Sequence, residues 1–375
     1  MKIVHIITRL PRGGAEENTI ISCNGQVAAG HDVTLIIGKS ASAEMLNRLD
    51  SKVTILREMS LIREIQPLLD FRALWGLYRT LKQLNPDIIH THHSKAGILG
   101  RLAGKFSSST RIVHTVHILP YINVSKLKRL LYISMEKITA LMTDRLIMVS
   151  DGVSEDYINT IKAPSSKCQT IYSGFDLSQF QPEPVSAEET SIHKQPAGPV
   201  TVLLVSALEE RKQIRPFLQV FKKLSKTQTN VRLKIAGEGP LRETLEAYVT
   251  EAGLKDLVTF LGYRKDVAHM IRKADICVHT SLREGLPRTI IQYAVSAKPI
   301  IATDIPSVSN IVHHGKNGYP VSPTNLMAML PLLTRLIQDA ELRHSFTQHS
   351  NQMDFSKWDQ QKMVDDIETL YREIA

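Results

Sequence analysis

The stretch KIVHIITRLPRGGAEEN, Lys2–Asn18, is a β-branched apolar run that passes through a Gly-Gly turn into a segment of helical character. KIVHII reads as a strand, and a helix opens near Ala15. A strand that feeds a helix through a tight turn is the first half of a parallel βαβ unit. Gly13 and Gly14 let the backbone turn sharply and come close to a ligand, while the first amides of the helix are open to an anion. A plain structural turn would use the same glycines. The stretch is not a G-x-G-x-x-G fingerprint, because the spacing differs and no acidic residue ends a second strand at the expected place.

The same alternation continues outward. Strand candidates VTLII, VTIL, DIIH, RIVHTV, RLIMV and QTIY follow, separated by helix-like segments such as Glu16 to Ala29, Phe71 to Leu84 and Ser125 to Leu141. From Gln181 to Pro199, QPEPVSAEETSIHKQPAGP, proline and polar residues accumulate without apolar periodicity, the character of a linker. The rhythm restarts with VTVLLV, VRLKIAG, VTFLG, DICVHT, KPIIAT and GYPV. The expected class is α/β, with two doubly wound domains and a central cleft between them where strand carboxyl ends face each other. The expected boundaries are 1–180 for the first domain, 181–199 for the linker and 200–352 for the second domain. Residues 353–375 form a C-terminal helix, with Met363, Ile367, Leu370 and Ile374 at helical spacing, expected to pack back across the domains.

A chain of 375 residues is long enough for two domains that each bury a core. With 43% hydrophobic and 22% charged residues, it is not a largely disordered protein. Cys23, Cys168 and Cys277 are too far apart to suggest a metal cluster and fit a reduced, cytoplasmic protein. No stretch of about 18 apolar residues is present to span a bilayer, and MKIVHIITRLPRGG is too short and strand-like for a signal peptide. The net charge of +9 favours an anionic partner, whether phosphorylated substrate, nucleic acid or acidic lipid. Aromatics make up 6% of the chain and no stacking motif emerges, which argues against nucleic acid.

Several stretches could carry chemistry. HTHHSKAG places His90, His92 and His93 at a strand end, and VHTVHILP places His114 and His117 around another. His90 and His92 could be two metal ligands, but no third has a compelling spacing, so no metal is expected. Strand alternation turns His114 and His117 to opposite faces, and His117 lies at the carboxyl end where open α/β sheets take ligands. LKIAGEGPLRETL runs strand, turn, helix, with Gly237 and Gly239 suited to close approach of a phosphate or to an ordinary turn. VSALEERKQI offers Arg211 and Lys212 at a strand end. DICVHTSLREGLPRTIIQYAV is a strand ending near Thr280, a loop bearing Glu284, and a helix entered through Pro287. Gln292 is expected about two turns into that helix.

Taken in order, RGGAEE, DIIHTHHSKAGILGRLAG, VHTVH, IYSGFDLSQF, GEGPLRETLE, VTFLGYRKDV and REGLPRTII resemble a glycosyltransferase of family 4 over nearly the whole chain. The resemblance implies the architecture of two Rossmann-like domains called GT-B. It also implies transfer of a sugar from a nucleotide-sugar to a hydroxyl acceptor with the anomeric configuration retained. By similarity, His117 would hold a donor-sugar hydroxyl beside the reacting carbon, and Glu284 would bind sugar hydroxyls. The amides of Gly285 and Leu286 would line the donor pocket together with Gly237 and Gly239. Lys212, with Arg211, would neutralise the leaving diphosphate, and Gly13 and Gly14 would close on it. His92 and His93 would lie on the acceptor side. Cationic side chains and helix amides then stabilise the departing charge without a metal.

Three positions depart from the family pattern. Gln292 stands where a second glutamate is usual, Ala207 where an arginine would grip diphosphate, and Asn310 where a glutamate is common. A ribose contact survives in an amide oxygen, whereas a lost Arg-phosphate pair costs on the order of 2 to 3 kcal/mol unless Arg211 or Arg12 substitutes. The departures leave a second reading, a non-catalytic nucleotide-sugar-binding paralogue or partner subunit. SKLKRLLYISMEKITALM carries Lys126, Lys128, Arg129 and Lys137 beside Leu127, Leu130, Leu131, Ile138 and Leu141. It is either a packed helix with solvated lysines or an amphipathic patch for an anionic membrane, as a carbohydrate or lipid-linked acceptor would require.

Overall fold

A computed structural model describes residues 1–107, 110–122, 124–182, 198–306 and 308–375. Each strand candidate forms a strand. The first domain holds β1 (Lys2–Ile7), β2 (Asp32–Ile37), β3 (Thr54–Arg57), β4 (Ile88–His92), β5 (Arg111–Val116), β6 (Arg145–Met148) and β7 (Cys168–Thr170). The second holds β8 (Val200–Val205), β9 (Val231–Ala236), β10 (Val258–Gly262), β11 (Ile276–His279), β12 (Ile300–Thr303) and β13 (Gly318–Val321).

All neighbouring strands run parallel, in the orders β3-β2-β1-β4-β5-β6-β7 and β10-β9-β8-β11-β12-β13. Each sheet starts at its centre, runs to one edge and then returns to build the other half. That is Rossmann topology, and it reverses between β1 and β4 in one domain and between β8 and β11 in the other. Helices cover both faces, so central strands are buried along almost their whole length and can be continuously apolar.

In the first domain Ile3, Ile88, Val113 and Ile147 pack against Met363, Ile367, Leu370 and Tyr371 of the C-terminal helix, Gln360–Ile374. The opposite face packs Val4, Ile6, Ile36 and Ile89 on the helices Pro67–Leu84 and Ser94–Ser107. In the second domain Val202, Leu204, Leu233 and Ile235 meet Phe217 and Phe221 of the helix Ile214–Leu224.

The units divide differently from the expected boundaries. The first comprises Met1–Phe175 and Ser356–Ala375, the second Asp176–Phe355. Asp176–Phe180 belongs to the second because Arg272 Nη1 donates to Gln179 O at 2.7 Å and Ser296 Oγ to Phe180 O at 2.8 Å. The C-terminal helix belongs to the first, where its apolar stripe completes one face of the sheet. Of the expected linker, residues 183–197 lie outside the described residues.

Candidate active site

In the second domain the site grows from the topological switch point, where the loops after β8 and β11 run side by side. Leu282 N donates to Arg211 O at 2.8 Å, Thr280 Oγ1 to Lys212 O at 2.5 Å and Gln213 Nε2 to Thr280 O at 3.2 Å. These bonds stitch the loops together and align their side chains. Glu284 Oε2 accepts from Arg211 Nη1 at 3.0 Å, while Oε1 pairs with Lys212 Nζ and accepts from Ser281 Oγ at 2.7 Å. Two cations thus share one buried carboxylate, and Arg211 Nε also pairs with the more exposed Glu209 at 3.0 Å, so an anion would meet Lys212 and Arg211 by competing with these carboxylates.

Burial opposes charge on Glu284, but His279, Lys212 and Arg211 outweigh it and hold its carboxyl well below the usual range. His279 Nε2 stands 3.6 Å from Glu284 Oε1, and a long contact from its N–H favours the ionised carboxylate. Burial lowers the pKa of that imidazole, which favours its neutral form. Gly285 is buried and Leu286 half-buried, just ahead of the helix Arg288–Val295. Gln292 is the fifth residue of that helix, so it lies little more than one turn in, not two.

Gly237 and Gly239 answer first to the loop beside them. Gly237 has φ +141°, and a Cβ there would lie 1.9 Å from Ser206 O; at Gly239 it would lie 2.5 Å from Leu208 O. Leu208 N donates to Glu238 O at 2.9 Å across the same contact. Close approach is required, but of backbone to backbone. Ala207 lies in this loop and Asn310 is exposed in a turn after β12.

In the first domain the switch point is lined with histidines. Register sets His5 of β1 beside His90 of β4, and His92 beside Thr115 of β5. His5 Nε2 meets Gln26 Oε1 at 2.6 Å, His5 Nδ1 meets His92 Nε2 at 2.9 Å, and His92 Nδ1 meets His117 Nε2 at 3.1 Å. His90 Nδ1 meets Tyr371 OH at 2.5 Å and its Nε2 meets Thr115 Oγ1 at 2.7 Å. His92, expected on the acceptor side, is fully buried behind His117 with both nitrogens engaged, so it faces no ligand. His93 is half-buried at φ +65°, its Nε2 3.3 Å from Glu16 Oε1. His114 lies on the other face, its Nδ1 3.0 Å from Thr91 O. Burial lowers the pKa of His5 to about 4 and those of His90, His92 and His114 well below 6.5.

His5 also supplies the third ring that the spacing of His90 and His92 lacked. The three have nitrogens within 4.8 Å of one another, but all six ring nitrogens already have partners, and a cation would have to break those contacts. At the start of the helix Gly14–Ala28, a Cβ on Gly13 would lie 2.2 Å from Glu16 Oε2. The carboxylate of Glu16 therefore occupies space beside the glycine turn.

His5, Gln26, Tyr371, Ser281 and His279 escaped the sequence reading. A histidine at the centre of the apolar run KIVHII is the one signal that could have exposed the line, since an unpaired imidazole there would be costly. On the helix Lys126–Leu141 only Glu136, Thr139 and Ala140 are buried. Leu127, Leu130 and Leu141 are 79%, 64% and 72% exposed, so these leucines are not core.

Two Rossmann-like domains with a charged cluster at one switch point and a polar line at the other define a GT-B architecture. The family described as Glycosyltransferase Family 4 matches residues 12–179, and that described as Glycosyl transferases group 1 matches residues 185–353. The chain is 28% identical over 345 residues to the UDP-Gal:alpha-D-GlcNAc-diphosphoundecaprenol alpha-1,3-galactosyltransferase of Escherichia coli, covering 91% of this chain and 88% of that protein. It is 26% identical over 308 residues to the putative glycosyltransferase EpsD of Bacillus subtilis (strain 168), covering 79% and 80%. The crystal structure of Anabaena Alr3699/HepE in complex with UDP shares the fold at a TM-score of 0.80 and 19% identity, over 100% of both chains. The chain belongs to the family 4 type of glycosyltransferases and is an enzyme of that class.

Proposed function

We propose that this enzyme moves a sugar from a nucleotide-sugar to a hydroxyl of a carbohydrate or lipid-linked acceptor, with retained anomeric configuration and no metal, in cell-surface polysaccharide or lipid-linked glycan synthesis. The observation that carries the reading is the cluster of Arg211, Lys212 and Glu284 at the β8/β11 switch point. As the bond from the anomeric carbon to the diphosphate breaks, its electron pair leaves with the nucleotide. Lys212 and Arg211 stabilise that charge at no reorganisation cost, because Glu284 already holds them side by side. Glu284 also takes donor-sugar hydroxyls, the Gly285 and Leu286 amides line the pocket, and Gln292 accepts from the ribose. In the other domain we assign a sugar hydroxyl to His117 and an anion to the Gly13 and Gly14 amides.

A thermal-shift series with UDP, GDP and ADP in EDTA tests the donor side. One diphosphate is expected to stabilise the protein, and Lys212→Ala to remove the shift. Binding without transfer from any matching nucleotide-sugar would return the non-catalytic reading, for which Ala207, Gln292 and Asn310 speak.

The acceptor reading draws on the lipid-linked substrate named for the Escherichia coli relative and on the helix Lys126–Leu141. Its exposed leucines sit among Lys126, Lys128, Arg129 and Lys137, which suits the anionic inner face of a membrane. The helix Pro67–Leu84 exposes Leu68, Phe71 and Trp75 as well. No helix among the described residues is long and apolar enough to cross a bilayer. The proposed attachment is peripheral, on the cytoplasmic side, through these exposed apolar faces. Co-sedimentation with anionic vesicles at low salt should succeed and should fail for the double variant Leu127→Glu, Leu130→Glu. Absence of binding by the unaltered protein removes this part of the proposal.

A further inference from the structure

We infer that Gln26, His5 and His92 are positioning residues that fix the proton of the His117 imidazole on Nε2. The inference rests on the reading of His117 as a contact for a donor-sugar hydroxyl, and it says which atom makes that contact. It begins at an amide. Gln26 Nε2 donates to Tyr371 OH at 3.2 Å, which turns Gln26 Oε1 toward His5 Nε2 at 2.6 Å. An amide oxygen only accepts, so His5 Nε2 carries a hydrogen.

A neutral imidazole has one N–H and one lone pair, so the assignment passes along the line. His5 Nδ1 accepts from His92 Nε2–H at 2.9 Å, and His92 Nδ1 accepts from His117 Nε2–H at 3.1 Å. Burial keeps His5 and His92 in the neutral form that this relay requires. A branch completes the same polarity, with the Tyr371 O–H directed to His90 Nδ1 at 2.5 Å and the His90 Nε2 hydrogen to Thr115 Oγ1 at 2.7 Å, and it would reverse together with the amide. His5 and His90 have relative exposures of 0% and Gln26 of 2%, so water does not compete for these bonds. In neutral His117 the lone pair then lies on Nδ1, so that atom is an acceptor and not a donor.

The reverse polarity would need only a turned Gln26 amide and would put the His117 proton on Nδ1, so the two arrangements differ at an observable atom. Long-range proton–nitrogen NMR of protein with labelled histidine, assigned against His117→Ala, reads the tautomer without any donor or acceptor. The expected spectrum shows a protonated Nε2 and an unprotonated Nδ1 for His117. Gln26→Glu offers only acceptor oxygens to His5 and should keep that pattern. Gln26→Leu removes the anchor and should mix the two tautomers.

In a transfer assay Gln26→Leu should lower kcat about tenfold with donor KM little changed, and Gln26→Glu should restore most of it. A proton on Nδ1 in the unaltered protein overturns the inference, as does a His117 tautomer unmoved in folded Gln26→Leu. Because the spectrum of the unaltered protein needs neither a variant nor a substrate, its result is independent of whether the site transfers a sugar.

Discussion

The two domains repeat one strand order, yet they arm their switch points in opposite ways. After β8 and β11 the side chains are charged, with Arg211 and Lys212 gripping Glu284. At β1 and β4 they are buried, uncharged imidazoles passing hydrogen bonds toward half-buried His117. A Rossmann-like sheet supplies the position and leaves the chemistry to the residues placed there. The charged end suits a departing diphosphate, whereas the neutral end suits hydroxyls, where specificity comes from the direction of each hydrogen bond and not from charge.

The largest test of that contrast is to disarm each end separately. Glu284→Ala should lower transfer about a hundredfold to a thousandfold, the range seen when a preorganised electrostatic group is removed. It should not weaken binding of the free diphosphate, because Arg211 and Lys212 lose their internal partner. His117→Ala should lower transfer by about a hundredfold with diphosphate binding intact. Calorimetry with the diphosphate beside a transfer assay separates the two, and loss of diphosphate affinity in His117→Ala would break the comparison.

Acid should distinguish the domains next. His5, His90, His92 and His114 of the first domain have lowered pKa values, so below about 6.5 the unfolded chain binds protons that the folded domain refuses. Stability is complete above that pH and is lost as pH falls toward the folded values. For His5 alone, the difference between 6.5 and about 4 corresponds to on the order of 3 kcal/mol. In the second domain His279 acts in the same sense, but the lowered carboxyl of Glu284 keeps its contribution until pH falls below the ordinary carboxylate range. Trp75 and Trp358 both belong to the first domain, so tryptophan emission reports its unfolding. The urea midpoint of that emission should drop between pH 7 and pH 5; a constant midpoint would mean the histidines are not held neutral.

Within the charged end, Lys212 and Arg211 are unequal. The Lys212 side chain is 11% exposed and among the described residues pairs with Glu284 alone, whereas that of Arg211 is 30% exposed and is also shared with Glu209. Lys212→Ala should weaken diphosphate binding about tenfold and Arg211→Ala by less, since solvent screens the more exposed cation. Equal losses would show that Arg211 fills the place of the arginine missing at Ala207.

What could be read in advance follows the range of each interaction. The strands were legible because β-branched runs between turn residues are local, and Glu284 was legible because its loop and helix are contiguous. The boundary at Phe175 was not, because Asp176–Phe180 joins the second domain through carbonyls that accept from Arg272 and Ser296. Nor was the line from Gln26 to His117, which needs the β1–β4 register and a helix laid over it. A glutamine in a helix reads as solvent-facing until a buried histidine is found beneath it. The exposed leucines of Lys126–Leu141 show the same limit, since spacing alone offered them equally to a core or a surface.

The smallest expected effect sits at Gln292, where the family pattern has a second glutamate. The residue lies just past the first turn of Arg288–Val295, where the positive end of the helix has largely faded. Gln292→Glu therefore changes only the acceptor itself, from neutral to charged. A ribose hydroxyl finds an acceptor oxygen in either side chain, so the gain is that of a charged over a neutral acceptor, about 1 kcal/mol or less. Diphosphate affinity should rise by no more than about fivefold, and a free nucleobase, which has no ribose, should not respond. A large rise would mean that the amide weakens the donor site of this chain, and a fall would place Gln292 near the diphosphate charge instead of the ribose.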